Sequence, residues 1–363
     1  MKSKEKMINS GTNKNTIKAI GMMSGTSLDG LDIAAVEFWE TNGKWSFKLM
    51  ESQTVSYTSE WKKRLETAHT LSGIELTKLD AEYGTFLGEE AGNFIVKTKF
   101  AADLIASHGH TVFHQPENSF TLQIGSGAQL AAKSNCLTIC DFRTGDVAFG
   151  GQGAPLVPIG DSLLFSEYDY CLNLGGFANI SYDENGVRLA FDNCPVNIVL
   201  NPMAEEFNLP YDKSGDLGRK GKVDERLLNR LNALSYYHQQ PPKSLRREWI
   251  EAEFLPILNK TELNTHDKMR TIYEHIAMQI TKDLSGKGKM LVTGGGAFNT
   301  FLIERMQAFT STEIVLPKPD LIDYKEAIVF AFMGVLRLRE QVNCLASVTG
   351  AQKDSCGGVS FLP

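Results

Sequence analysis

The sequence predicts a two-lobed α/β protein in which each half begins with a strand, a glycine turn and a second strand. In the first such segment, residues 21–32, glycines and hydroxyl residues separate two apolar runs. In the second, residues 170–182, Gly175 and Gly176 separate two further apolar runs, and a third run follows at 187–191. These runs contain β-branched residues in partial alternation with other residues, which favours strands. We therefore expect a duplicated hairpin unit, one copy in each half.

The remaining elements alternate between helices and short strands. Apolar spacing predicts helices at 61–71, 76–99, 223–231 and 324–338, the last two as packing helices. Short apolar runs that end in polar or glycine turns predict strands at 100–107, 120–124 and 136–140. Because ligands collect at the carboxyl ends of strands in open α/β sheets, those turns are candidate ligand contacts. The glycine- and proline-bearing stretch at 150–160 suits a junction between the halves.

Composition is that of a globular protein, with 363 residues, 42% hydrophobic and 22% charged residues. A formal net charge of -6 and the lack of a Lys/Arg run predict no nucleic-acid partner. The polar first fifteen residues contain no signal-like apolar run, and no later stretch reaches the roughly 18 apolar residues of a membrane span. We therefore expect a cytoplasmic protein. Six scattered cysteines predict free thiols rather than a zinc site.

The first glycine turn has the composition of a phosphate-binding hairpin. Glycines let the backbone approach an anion, Ser24, Thr26 and Ser27 add hydroxyl donors, and Asp29 or Asp32 can hold a divalent cation. For an isolated turn of this kind, the better explanation is that Ser, Thr and Asp side chains bond their own backbone. The second turn at 173–176 and a third, the three glycines at 294–296 between a strand and a helix, favour the phosphate interpretation.

Three glycine turns so spaced resemble the ATPase clamp of the actin, hexokinase and Hsp70 superfamily. That resemblance implies two related RNase H-like lobes with a cleft between them, a hairpin from each lobe holding phosphates, and the third turn near the adenosine. We expect a flexible tail at 1–15, an N-terminal lobe at 16–160 and a C-terminal lobe at 161–363, with the last helix packing back on the first lobe. Neither a P-loop nor a Rossmann fingerprint occurs at these turns, which argues against those modes of nucleotide binding.

Within that superfamily, longer motifs resemble the anhydro-N-acetylmuramic acid kinase family over nearly the whole chain. The most specific is the long string DFRTGDVAFGGQGAPLVP at 141–158. The others are GMMSGTSLDG at 21–30, SHGHT at 107–111, NLGGFANI at 173–180, PPKS at 241–244 and GGGAFN at 294–299. The resemblance implies an enzyme that uses ATP and water to open the 1,6-anhydro ring of anhydro-N-acetylmuramate and forms N-acetylmuramate 6-phosphate during cell-wall recycling.

The same resemblance assigns roles to individual residues. Asp192, in the Phe-Asp dipeptide after the strand at 187–191, aligns with the catalytic aspartate and would act as the base for water; without the resemblance, a turn or helix cap is the better explanation. Substrate contacts are expected at His108, Gln123, Arg143 and Asp146, with Arg143 able to form a two-pronged contact with the lactyl carboxylate. ATP is expected at Gly25, Thr26, Ser27, Leu28, Asp29, Gly30, Leu31, Asp32, Asn173, Gly175, Gly176, Gly294, Gly295 and Gly296, and Mg²⁺ at Asp29.

After Asp192 the chain departs from its relatives. The family usually continues Thr-Gly-Pro-Gly-Asn, whereas this chain has Asn193-Cys194-Pro195-Val196-Asn197. Replacement of two glycines restricts the backbone and is expected to add side chains beside the base, which would narrow the sugar site. This leaves open a kinase for a variant sugar or a catalytically weakened sugar-binding relative. A nucleotide-gated ATPase like actin or Hsp70 is a second alternative, and a homodimer is left open.

Overall fold

A computed structural model describes residues 16–25 and 28–363. The expected tail at 1–15 and the expected ATP contacts Thr26 and Ser27 lie outside the described residues. The chain divides into two compact units: one comprises Met1–Leu164 and Glu326–Pro363, and the other comprises Phe165–Lys325. Hereafter these are unit 1 and unit 2.

The strands fall into two main sheets, one in each unit, and a small two-stranded sheet. Their bounds are β1 Thr16–Ser24, β2 Gly30–Thr41, β3 Lys44–Ser56, β4 Leu104–Ser107, β5 His110–Gln115, β6 Phe120–Ile124, β7 Thr138–Cys140, β8 Tyr170–Leu174, β9 Phe177–Glu184, β10 Val187–Pro195, β11 Lys289–Thr293, β12 Glu313–Val315 and β13 Val359–Phe361.

Helices separate most of these strands along the chain. They are α1 Ser59–Glu66, α2 Gly73–Thr98, α3 Gly127–Ser134, α4 Thr144–Ala148, α5 Pro158–Leu164, α6 Asn197–Glu205, α7 Asp216–Arg219, α8 Glu225–Asn232, α9 Arg247–Trp249, α10 Leu255–Asn259, α11 Thr265–Thr281, α12 Thr300–Gln307, α13 Pro319–Leu338 and α14 Ala346–Thr349. Short 3₁₀ turns occupy Ala68–Thr70, Pro116–Asn118, Lys213–Gly215, Ser235–His238 and Gly295–Phe298, and a π-turn occupies Ile250–Phe254.

The two main sheets share one topology. In unit 1 the order is β3-β2-β1-β4-β7, with β1, β2 and β3 antiparallel and β1, β4 and β7 parallel; β13 adds an antiparallel edge. In unit 2 the order is β10-β9-β8-β11-β12, again with three antiparallel strands followed by parallel ones. The predicted α/β class with a repeated strand, glycine turn and strand is therefore confirmed. In both units the third strand of the meander lies at the outer edge.

The strands of each main sheet have apolar side chains at alternating positions, so the sheet packs against helices. In unit 1, Ile20 and Met22 on β1 point into a core shared with α2, including Tyr83 and Leu87. Between them Gly21 points the other way, toward Ala327 on α13. In unit 2 the core is built from β8–β10 and helices that include α6, α11 and α12. Since α2 begins with a capping box between Ser72 and Glu75, its start is fixed locally as well as by packing.

Several elements differ from those expected from the sequence. The helix predicted at 61–71 ends at Glu66 and is followed by a separate 3₁₀ turn, and only Leu104–Ser107 of the run 100–107 is a strand. The run at 120–124 is a strand, but it pairs with β5 in the two-stranded sheet and not with the main sheet. β3 has no counterpart among the elements predicted from the sequence. Within residues 16–25 and 28–363, every helix is too short or too polar to cross a bilayer.

Candidate active site

The first glycine turn joins β1 to β2 in unit 1. Leu28 has a left-handed φ of 56° and its N–H donates to the Gly25 carbonyl at 3.4 Å. Asp29 is exposed. Gly30 and Leu31 already belong to β2, and Leu31 is only 1% exposed in the unit 1 core. Asp29 therefore presents its carboxylate to solvent, whereas Leu28 packs against the unit 1 core and Leu31 lies within it.

Asp32, one strand residue further on, is held within the sheet. Its Oδ1 accepts a hydrogen bond from the Thr54 hydroxyl of β3 at 2.6 Å. Mg²⁺ is usually bound in phosphoryl-transfer enzymes by one or two carboxylates together with substrate phosphates and waters. The described residues contain no group of three or more His, Cys, Asp or Glu that would form a protein cage for a metal. An exposed Asp29 in a glycine turn has the chemistry to contact a cation that is carried by a nucleotide.

The second and third turns lie side by side in unit 2. Gly294 has a φ of 80°, and a Cβ there would lie 2.5 Å from Asn173 Oδ1 and 2.8 Å from the Leu174 carbonyl. Gly296 approaches Leu174 equally closely. The β8–β11 pairing, which is parallel and ends at Thr293 and Asn173, brings the two turns together. Four of the residues predicted to bind ATP from separate parts of the sequence are thus neighbours: Asn173, Gly294, Gly295 and Gly296.

The carbonyls of the second turn are occupied by the start of α6. Val196 N–H and Ile198 N–H donate to the Gly176 carbonyl at 2.8 and 3.2 Å, and Asn197 N–H donates to the Gly175 carbonyl at 3.3 Å. Gly176 itself is exposed. Because these bonds turn the carbonyls toward the helix, the opposite side of the turn is the one available to an anion.

Asp192 lies within β10, at a β-bulge, and not in a turn beyond the strand. The register with β9 shifts between Asp192, which faces Asn179, and Cys194, which faces Ala178. Asn179 Nδ2 donates to Asp192 Oδ1 at 3.0 Å, and Leu245 N–H donates to Oδ2 at 2.8 Å. Burial raises the pKa of Asp192, while these two hydrogen bonds oppose that shift. Bulges often re-aim a side chain beside an active site, and here the carboxylate is fixed by one donor on each oxygen.

The segment that contains the Pro-Pro-Lys-Ser motif packs along β10. Asp192 N–H donates to the Lys243 carbonyl at 3.3 Å, so residues 243 and 245 together hold both the backbone and the carboxylate of Asp192. Tyr236 Oη donates to the Asp192 carbonyl at 2.7 Å. In the sequence this motif is only a mark of resemblance, and the sequence predicts no role for Asn179. The contacts with Lys243 and Leu245 join residues about 50 positions apart, which spacing alone does not reveal.

Cys194 and Val196 do not crowd the base, contrary to the sequence expectation. Both side chains are fully buried and belong to the hydrophobic core of unit 2. Val196, the residue before α6, has a φ of −128°, which is outside the left-handed region that favours glycine. The bulge explains the difference, because it turns Cys194 toward the core immediately after Asp192. The replacement of the two glycines by Cys194 and Val196 therefore changes core packing under the site.

In unit 1, His108 supports Arg143. His108 Nδ1 lies 2.9 Å from the Gly109 carbonyl, which can only accept, so Nδ1 carries the hydrogen. Its Nε2 accepts from Arg143 Nε at 3.1 Å and Nη2 at 2.8 Å. Burial and the adjacent guanidinium lower the pKa of His108 to about 3, so the ring is neutral. His108, expected to contact substrate, is 6% exposed and acts on the site through Arg143.

Arg143 is the cation that these contacts position. Its Nη1 also donates to the Gly153 carbonyl at 2.5 Å. Burial lowers the pKa of Arg143 to about 10, opposed by Glu326 and Asp146, and the group stays charged at neutral pH. The hydrogen bonds in the described structure use three of its five N–H groups, so each terminal nitrogen keeps one for a ligand. The guanidinium edge formed by Nε and Nη2 already donates to His108. A two-pronged contact with a ligand carboxylate must therefore use the edge formed by Nη1 and Nη2.

The side chains of Asp146 and Gln123 form hydrogen bonds with other groups of the protein in this structure. Asp146 is fully buried, with Oδ2 accepting from Gly153 N–H at 2.8 Å and Oδ1 accepting from the Thr349 hydroxyl at 2.7 Å. It therefore shapes the 146–153 loop instead of presenting a carboxylate to a sugar, which differs from the sequence expectation. Gln123 Nε2 donates to the Thr121 hydroxyl at 2.8 Å and is half-buried in the two-stranded sheet.

Comparisons with known proteins identify the same family as the sequence motifs. The family model described as anhydro-N-acetylmuramic acid kinase matches residues 17–363. The chain is 33% identical to the anhydro-N-acetylmuramic acid kinase of Vibrio cholerae, over 95% of this chain and 98% of that protein. It is 34% identical to that of Mannheimia succiniciproducens, over 94% and 98%. A solved dehydratase activator from Clostridium difficile gives a TM-score of 0.40 at 16% identity, covering 89% of this chain and 97% of that one, which is too low to bear on function. The chain belongs to the anhydro-N-acetylmuramic acid kinase family.

Proposed function

We propose that this chain converts 1,6-anhydro-N-acetylmuramic acid, ATP and water into N-acetylmuramic acid 6-phosphate and ADP in cell-wall recycling. The observation that carries the proposal is the carboxylate of Asp192, held by Asn179 and the Leu245 N–H at the end of the hairpin that follows the second glycine turn. A carboxylate fixed beside a glycine turn is what a water-activating base in a kinase requires. Because the reaction consumes ATP, we place it in the cytoplasm.

The reaction joins a hydrolysis to a phosphoryl transfer. Asp192 accepts a proton from water as the water oxygen bonds to C1 of the sugar. The C1–O6 bond breaks, O6 attacks the γ-phosphorus, and ADP leaves with the electrons of the broken P–O bond. The glycine turns supply N–H groups to phosphate oxygens. Mg²⁺ bound to the nucleotide would neutralise phosphate charge, with Asp29 as its protein neighbour in unit 1.

Arg143 is proposed to bind the carboxylate of the sugar. Replacement of Arg143 by lysine is expected to raise KM for the sugar roughly 10- to 100-fold, because an ammonium cannot bond His108, Gly153 and a carboxylate from one plane. Steady-state kinetics with the sugar varied at saturating ATP measures the effect. Arg337→Lys is the matched control, since Arg337 Nε donates to the Gly358 carbonyl at 2.8 Å in the same unit without contacting these residues. Equal KM values for the two variants would show that Arg143 does not bind the sugar.

The pH dependence of activity should report Asp192. Burial is the largest influence on this group and favours the protonated form, so the acid limb of kcat/KM should lie above the ordinary aspartate pKa of about 3.9. Asn179→Leu removes a donor that favours the ionised form, so the limb should move to higher pH. An acid limb at the same pH in wild type and in Asn179→Leu would mean that a group other than Asp192 sets it.

The alternative of a variant sugar loses its main support in this structure. It rested on Cys194 and Val196 lying beside the base, and both pack in the core. Purified protein with ATP, Mg²⁺ and the anhydro sugar in water enriched in heavy oxygen tests the proposed reaction. We expect one ADP per sugar 6-phosphate and one heavy oxygen at C1. ATP hydrolysis that ignores the sugar would instead indicate a nucleotide-gated ATPase, and sugar binding without turnover an inactive relative.

A further inference from the structure

A chain of buried hydroxyls ends at the base of the first glycine turn. Tyr57, just after β3, donates from Oη to Ser24 Oγ at 2.8 Å, and its Oη lies 2.7 Å from Tyr83 Oη on α2. Ser24 Oγ lies 3.4 Å from His110 Nδ1 on β5. Ser24 is 2%, Tyr57 5% and Tyr83 0% exposed. Three separate parts of unit 1 thus place hydroxyl or ring nitrogen groups around the last residue of β1.

The hydrogens of this chain run in one direction. Tyr57 has a single hydroxyl hydrogen and gives it to Ser24, so the Tyr83 hydroxyl must donate to Tyr57. Burial raises the pKa of both tyrosines, so both keep their hydrogens at neutral pH. Ser24 Oγ therefore accepts a hydrogen bond from Tyr57 and keeps its own hydroxyl hydrogen for another acceptor.

Among the described residues, the other hydrogen-bond partner of Ser24 Oγ is His110 Nδ1, and this contact is weak. The Ser24–His110 distance of 3.4 Å is longer than the usual 2.7–3.2 Å range for a bond of this kind. Hydrogen bonds to an anionic oxygen are shorter and roughly twice as strong as neutral ones. Ser24 directly precedes Gly25, the first residue of the turn, so an anion bound by the turn would be a better acceptor than His110.

The hydroxyl chain is not needed to hold the strand. Ser24 is already paired with Leu31 in the antiparallel β1–β2 ladder, which fixes its backbone. The tyrosines instead fix the direction of one side-chain hydrogen. Packing alone does not require the tyrosine hydroxyls, because phenylalanine fills almost the same volume as tyrosine.

We propose that Ser24 donates its hydroxyl hydrogen to a phosphate oxygen of ATP and that Tyr57 is the positioning residue that orients it. The inference deepens the proposed function, because it takes ATP from that function as the ligand of the turn. Tyr83, whose 2.7 Å hydrogen bond is made to Tyr57, contributes less.

The test is the equilibrium dissociation constant of Mg-ATP, measured by calorimetry without sugar on the full chain. We expect roughly tenfold weaker binding for Ser24→Ala and a loss of about three- to tenfold for Tyr57→Phe. Tyr83→Phe, which removes a buried hydroxyl of the same kind, should change the constant less than about twofold, because its 2.7 Å hydrogen bond is made to Tyr57. In the double variant, Tyr57→Phe should add little to Ser24→Ala, because Tyr57 acts through that hydroxyl.

A merely structural role gives a different pattern. If the two tyrosine variants weaken ATP binding equally, or if Tyr57→Phe keeps its full effect in the Ser24→Ala background, the proposal is overturned. Failure of the wild-type protein to bind ATP overturns it as well. Thermal melts of each variant identify any loss of folding. Since sugar is absent, a wild-type protein that binds ATP but does not phosphorylate the sugar would contradict the proposed function and leave this test fully interpretable.

Discussion

Replacement of Asp192 by asparagine is expected to lower kcat by about a thousandfold, within the roughly 10²- to 10⁴-fold range of general-base catalysis. The asparagine keeps the shape of the side chain but cannot take a proton from water. The measurement is the rate of ADP and sugar 6-phosphate formation, together with the heavy oxygen incorporated at C1. Both should fall together, because the same step delivers the oxygen.

Folding must be separated from chemistry in this variant. Asp192 accepts from Asn179 and from Leu245 N–H, whereas asparagine has one acceptor oxygen, so one donor loses its partner at a cost of about 1–3 kcal/mol in unfolding free energy. Asp183→Asn on β9 is the matched control, since its carboxylate pairs with Arg188 at 2.8 Å and is half-exposed. A variant at Asp192 that melts normally and keeps a tenth or more of wild-type kcat would assign the base to another group.

Replacement of Gly21 by alanine is expected to destabilise unit 1 by about 3 kcal/mol or more, the upper end of overpacking costs. A Cβ at Gly21 would lie 1.8 Å from the Ala327 carbonyl oxygen and 2.9 Å from the Ala331 nitrogen. These are helix backbone atoms of α13, so relief requires the whole helix to move away from β1. Thermal melting should show a fall of several degrees or more.

Gly73→Ala provides the control for that experiment. Gly73 is the first residue of α2, and a Cβ added there would meet no neighbouring atom within 4 Å, so alanine should be neutral or slightly stabilising. If Gly21→Ala melts within about 2 °C of Gly73→Ala, the close approach of α13 to β1 is incorrect, because a clash of that size should cost more.

Local sequence patterns were sufficient for the elements whose signals are short-range. The β1–β2 and β8–β9 hairpins follow from apolar runs on both sides of a glycine turn, and the repeated hairpin predicted the repeated sheet. The long helix α2 follows from its apolar spacing and its capping residues. Motif wording identified the family, because the string at 141–158 is too long to recur by chance among unrelated turns.

Edge strands and strand partners could not be predicted in this way. β3 is an outer strand with many exposed side chains and a bulge opposite Ala35 and Val36, so its alternation is irregular. β6 has the apolar composition of a main-sheet strand, but it pairs with β5. A strand's composition reports burial of its side chains, and it does not specify which neighbour accepts its backbone hydrogen bonds.

The sequence by itself determined the fold class, the family and the positions of the glycine turns, because each depends on residues close together in the chain. Only the tertiary structure decided what individual side chains do. It places Asp146 in the interior, commits His108 to Arg143, turns Cys194 and Val196 into the core and brings Leu245 to Asp192. The physical reason is that a polar group's role depends on which partners satisfy it, and most of these partners come from distant parts of the chain.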